Sequence, residues 1–211
     1  MGGPSSSPSS GGYEQAYADS YDLALTRLRQ ADPADICLKS GAVPAGKEGI
    51  RLRFLNRDYR IDRLEGSVTL EPETEPVPIA ERLLILHYLV TAGGAPGNGW
   101  ISFQELPEGM AYYPTFHKRA IRPLLARFGA SPAGLIPAAA LFGGVDAHQG
   151  DAALTIQAFP KVAVTWVLWR GDDEFPAEGT LLVDRNIRDY LPAEDIVVLC
   201  QTIAIKLCRA V

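Results

Sequence analysis

The stretch Ala153–Trp169, ALTIQAFPKVAVTWVLW, decides the fold. Its two halves are rich in β-branched and aromatic residues, and Lys161 is its only charge. Pro160-Lys161 reads as a tight turn, so Ala153–Phe159 and Val162–Trp169 are predicted to pair as an antiparallel hairpin. The second half is apolar almost throughout. A strand of that kind is covered on both faces, which places it in the middle of a sheet.

Beyond the hairpin, Gly171 opens an acidic loop and Thr180–Val183 reads as a short strand. Pro192 opens a last helix running to about Arg209, with Glu194 and Asp195 in its first turn complementing the dipole. Before the hairpin, Pro114–Phe128 is amphipathic and helical, and a short helix follows from Pro132 to Leu141. Trp100–Phe103 reads as a strand. Ile79–Ala92 is apolar over most of its girth, the mark of a central helix. Further back the period is two: Ile50, Leu52 and Phe54, then Tyr59 and Ile61. This is a hairpin turning at Asn56-Arg57-Asp58, with Ser67–Leu70 as a third strand. Tyr13–Gln30 and Pro33–Lys39 are predicted helices, the second capped by Asp32. The expected fold class is α+β: one domain over 13–211, a mostly antiparallel sheet flanked by helices. Residues 1–12, MGGPSSSPSSGG, are expected to stay disordered because they can bury nothing to offset their ordering entropy.

Composition narrows the function classes. The chain has 211 residues, 47% hydrophobic and 21% charged, which is enough apolar material for a core. Lys and Arg total 20 against 25 Asp and Glu, a formal charge of −5. Sequence-independent nucleic-acid binding, which needs clustered cations, is not expected. The N-terminus is neither charged nor apolar, so it is no secretory signal. The apolar run Leu83–Ala95 is too short for a bilayer, and a cytoplasmic protein is expected. Three cysteines, Cys37, Cys200 and Cys208, include no CxxC pair and imply neither a disulfide framework nor a metal site. Cys200 and Cys208 read as small core residues.

Net charge hides a segregation. Gly109–Val145 carries Lys118, Arg119, Arg122 and Arg127 and no acid, giving +4. Gly171–Asp195 carries eight acids (Asp172, Asp173, Glu174, Glu178, Asp184, Asp189, Glu194, Asp195) against Arg185 and Arg188, giving −6. The two stretches either neutralise each other across the fold, or are solvated, or receive an anionic ligand on the cationic helix. The candidate ligand-binding set is Tyr112, Tyr113, His117, Lys118, Arg119, Arg122, Trp169, Asp172, Asp173 and Glu174. Tyr112–Phe116 is read as an aromatic loop that stacks on a planar anion or on the core.

Each other candidate has a plainer reading beside it. Three carboxylates at a strand end, Asp172–Glu174, could hold a divalent ion. Adjacent acids diverge, however, and an Asp-led turn with Phe175 tucked into the core is the simpler account. Asp146-Ala147-His148 with Asp151 reads as a surface loop rather than a metal or base site. His87 within the apolar helix reads as a satisfied boundary residue, and the strand tryptophans as core. No nucleophile elbow, phosphate-binding loop, dinucleotide fingerprint or HExxH occurs, so no catalytic residue and no cofactor is named.

Three stretches together carry a resemblance: YEQAYADSYDLALTRL at 13–28, WISFQELPEGMAYYPTFHKRAIRPLLARFG at 100–129, and VAVTWVLWRGDDEFPAEGTLLVDRNIRDYLPAEDIVVL at 162–199. In order and spacing the chain resembles a prokaryotic domain-of-unknown-function family found mainly in strict anaerobes. GDDEFPAEG followed by DYLPAED is its most specific part. The resemblance implies an anaerobic, cytoplasmic setting, and some relatives fuse the domain to an iron–sulfur module. This chain lacks those cysteines, so electron transfer would come from an iron–sulfur partner protein. The expected function is a non-enzymatic binding or accessory domain for an anionic small molecule, cofactor or redox partner. The alternatives are a metal-dependent hydrolase using Asp172, Asp173 and Glu174 with His117 or His148 as base, and a docking subunit of a larger complex.

Overall fold

The computed structural model describes residues 10–72, 75–95, 97 and 99–210, with backbone alone over 10–16. Val162–Trp169 (β8) is the middle strand of an antiparallel sheet. Glu178–Asp184 (β9) and Trp100–Ser102 (β5) extend the sheet on one side, Ala152–Phe159 (β7) and Val145–Asp146 (β6) on the other. Trp166 of β8 lies in register between Leu154 and Leu181 and is wholly buried, as a strand covered on both faces requires. The pairing of β7 with β8 turns at Pro160-Lys161 as read from the sequence.

The strands nearer the N-terminus make a second antiparallel sheet, not an extension of the first. Its order is Val43–Pro44 (β1), Gly49–Phe54 (β2), Arg57–Asp62 (β3) and Val68–Glu71 (β4). The turn between β2 and β3 is the pair Leu55-Asn56, at φ 48° and 62°, while Arg57 and Asp58 belong to the strand. Two left-handed residues are what a two-residue hairpin turn needs. Leucine is a poor choice there, but Leu55 is buried and its N–H donates to Ala158 O of β7 at 3.0 Å. Tertiary burial and one bond between the sheets hold the unfavourable backbone.

Ser10–Gln30 (α1), Pro33–Ser40 (α2), Ile79–Thr91 (α3) and Ala193–Arg209 (α7) supply the main helices. Residues 1–9 of the expected tail lie outside the described residues, and α1 begins within that tail. Asp32 caps α2, accepting the Ala34 N–H at 3.1 Å. α3 buries Leu84, Ile85, Leu86, Tyr88 and Leu89 in one core shared by both sheets, so the fold is α+β. Tyr88 and Phe54 both stack on Phe159, at centroid distances of 4.2 and 4.6 Å, and so lock α3 and the two sheets at one point.

Several expectations are corrected. The helix expected from Pro114 begins at Gly109: Gly109–Phe116 (α4) runs into a π-helical turn, His117–Ile121, and then Arg122–Phe128 (α5). Tyr112–Phe116 is therefore helical, not a loop. Leu135–Ala139 (α6) is flanked by single 3-10 turns. Trp100 and Trp169, expected in the core, are 50% and 42% exposed, because both sit at the start or end of a strand. Among the described residues no single helix is long and apolar enough to cross a membrane.

Candidate functional site

The cations of the sequence-derived site sit on the π turn. Proline cannot donate a backbone hydrogen bond, so Pro123 breaks the regular ladder. The Arg122 N–H instead reaches back five residues to His117 O. Such bulges recur at functional sites. Lys118, Arg119 and Arg122 are exposed, and none lies within ion-pair distance of a carboxylate among the described residues. The tyrosines beside them are engaged in structure. The Tyr112 hydroxyl donates to Glu194 Oε1 at 2.8 Å, and that carboxylate raises its pKa. Tyr113 stands against Phe116 and His117, at 6.3 and 5.8 Å between centroids.

The acidic loop closes on itself. Asp172 Oδ1 accepts the N–H groups of Phe175 at 2.7 Å and Glu174 at 2.9 Å, which together hold its carboxyl below the ordinary range. Asp172 N–H in turn donates to Phe175 O at 2.8 Å. The Asp-led turn thus forms, but Phe175 is 68% exposed and does not tuck into the core. Among the described residues no group of three or more His, Cys, Asp or Glu side chains is placed to hold a metal. Asp146 ends β6, and His148 and Asp151 follow in the exposed loop to β7, where Asp146 accepts the His148 N–H at 2.7 Å and Asp151 the Arg170 N–H at 2.7 Å.

The loop and the π turn do not meet. Ala177, next after the loop, packs so tightly on Gly129 that a Cβ added there would lie 2.8 Å from Ala177 Cβ. Gly179 abuts Leu125 and Ile121. The loop thus leaves at the C-terminal end of α5, while Lys118, Arg119 and Arg122 gather at its N-terminal end and Arg127 stands alone in its last turn. Five of the hollows among the described residues include none lined by residues of both.

The hollow with the lining of a ligand site lies elsewhere, at the seam of the two sheets. It holds about 430 Å³ and is lined by Gly41, Arg53, Asn56, Phe142, Gly143, Gln157, Phe159 and Pro160. Four segments converge: the β2–β3 turn, the β7–β8 turn, the end of α2 and the turn after α6. Phe142, Phe159 and Pro160 are its apolar surface, and among the described residues Arg53 is the only titratable one lining it. Arg53 Nη2 donates to Asn56 Oδ1 at 2.8 Å, and Nη1 lies 3.5 Å from Asp58. Tyr88 braces two walls: its hydroxyl donates to Ser40 O at 2.6 Å and accepts the Lys161 N–H at 3.1 Å. Gly41, left-handed at φ 72°, lies so close to Pro160 that a Cβ would sit 2.8 Å from Pro160 Cβ.

Two partly buried polar pairs join the last helix to α3. Glu81 accepts from Lys206 at 2.8 Å and from the Tyr59 hydroxyl at 3.2 Å, beside a hollow of about 170 Å³. His87 Nδ1 lies 2.7 Å from Asp195 Oδ2, joining α3 to the first turn of α7 and satisfying the histidine. Sequence reading gave Asp195 a role only at the helix dipole and gave Glu81 none, because neither pairing carries a local signal. Cys200 is wholly buried and Cys208 half-buried, as expected of core residues.

No curated protein and no solved structure matches the chain. A family model described as a domain of unknown function matches residues 32–206, which include both sheets, the seam cleft, the π turn and the acidic loop. The chain belongs to that family, DUF3786.

Proposed function

We propose that this protein is a binding domain for a small anionic molecule with a flat apolar body, held in the seam cleft. The carrying observation is the cleft's lining: aromatic and proline surface, one cation, and no carboxylate among the described residues lining it, Asp58 standing behind Arg53 at 3.5 Å. Small-molecule sites have this composition, a mostly apolar hollow of roughly 300–1,000 Å³ with a few placed polar groups. Arg53 supplies a planar fork for a carboxylate or sulfonate, exchanging its bond to Asn56 for the ligand. Lys161, whose side chain packs beside Gly41, adds positive potential at the rim.

The reading keeps the ligand class expected from the sequence and moves its place from the π turn to the seam. The hydrolase alternative is not favoured, because Asp172 is spent on its own turn and no metal-ligand group converges among the described residues. An iron–sulfur partner protein enters the proposal only as the recipient of the bound molecule.

The test is a fluorescence titration with 1-anilinonaphthalene-8-sulfonate, an anion with a flat apolar body. Saturable one-to-one binding is expected. Arg53→Gln should weaken it about tenfold or more, the size of one charge-assisted bond, and Arg53→Lys should recover part of that loss. Gln157→Trp, a plug on an exposed strand position, should abolish binding with the melting temperature little changed. Binding that ignores both Arg53→Gln and the plug would overturn the proposal.

A further inference from the structure

Part of the charge segregation finds no partner within one copy among the described residues. Asp173, Glu174, Lys118, Arg119 and Arg122 are exposed, and none forms an ion pair among the described residues. The contacts of Ala177 with Gly129, and of Gly179 with Leu125 and Ile121, put the two patches at opposite ends of α5. At 1.5 Å per residue, about 10 Å of helix lies between them.

We propose that the two patches dock on a second copy of this chain, about a two-fold axis that sets the two α5 helices antiparallel. In that arrangement the N-terminal end of one α5 lies at the C-terminal end of the other. Each cationic turn then meets the partner's acidic loop, and the contact is made twice by one symmetry operation. Ala126, exposed on α5, is small enough to let the helices approach. Trp169 and Phe175, 42% and 68% exposed beside the loop, give the contact apolar area to cover. The partner is a copy rather than an unrelated protein because both halves of a complementary pair are exposed on this one chain, towards the two ends of α5. The docking does not depend on the seam cleft. Exposed ion pairs contribute little singly, so the dimer is weak and salt-sensitive, with charges screened beyond about 8 Å at physiological ionic strength.

Sedimentation velocity of the whole chain tests this. A reversible monomer–dimer equilibrium is expected at low ionic strength and monomer in molar salt. The variant Lys118→Glu/Arg119→Glu/Arg122→Glu sets acid against acid, and Asp173→Lys/Glu174→Lys sets base against base, so each alone should be monomeric. Mixed together they should restore the dimer, because both contacts are again opposite in charge. All five positions are exposed, and circular dichroism checks that the variants fold. A wild-type chain that stays monomeric at every concentration, or a mixture that fails to associate, overturns the proposal.

Discussion

Tyr88 shows how much one residue can decide. It is fully buried, stacks on Phe159, and both donates and accepts through its hydroxyl. Tyr88→Phe leaves Ser40 O and the Lys161 N–H short of a partner and should lower stability by about 1–3 kcal/mol in urea unfolding. Burial holds this hydroxyl protonated well above the usual tyrosine range. A raised folded-state pKa means stability that is present below pH ~10 and is lost as pH rises beyond it. Wild-type stability should therefore fall above that point, and Tyr88→Phe should fall less steeply. Tyr21, Tyr112 and Tyr190 are shifted the same way, so part of the slope should survive. Burial likewise raises all three thiols. With a thiol reagent near neutral pH, native protein should react slowly at Cys208 and Cys37 and not at Cys200, while unfolded protein should release three thiols at once. Rapid native labelling of Cys200 would contradict its placement.

Elements are tied together by pairs that sequence distance conceals. Glu81 opens α3 and Lys206 closes α7, and they meet with Tyr59 of β3. Lys206→Ala leaves Glu81 buried and short of its cation. The loss should be about 2–3 kcal/mol, below the ~3–5 kcal/mol of fully buried pairs because Lys206 keeps some exposure. Glu81→Leu with Lys206→Met should restore most of it, as measured by chemical denaturation. Element type was legible where periodicity was strong: β7, β8, α3 and α7 fall where the residues predict. It failed where tertiary contact overrode local preference. Leu55 is no turn former, yet burial and its bond to Ala158 make it one. Pro114 reads as a helix start, yet α4 carries it in its interior and the π turn absorbs the break at Pro123.

At the scale of the molecule, two antiparallel sheets share one core, and the aromatic contacts of Phe159 with Phe54 and Tyr88 join them. The charge segregation was legible as a count, but not its geometry, since which ends of α5 carry the patches depends on how β9 lies along that helix. The seam cleft had no sequence signal. Gly41, Arg53, Phe142 and Gln157 come from four segments, and none is unusual alone.

The most direct measurement is an amide chemical-shift map with 1-anilinonaphthalene-8-sulfonate added to the isotope-labelled chain. Shifts concentrated at Gly41, Asn56, Gly143 and Gln157, and lost in Gln157→Trp, are what a ligand seated at the seam predicts. Shifts centred on His117–Arg122 with the seam silent, or none that saturate, would contradict it.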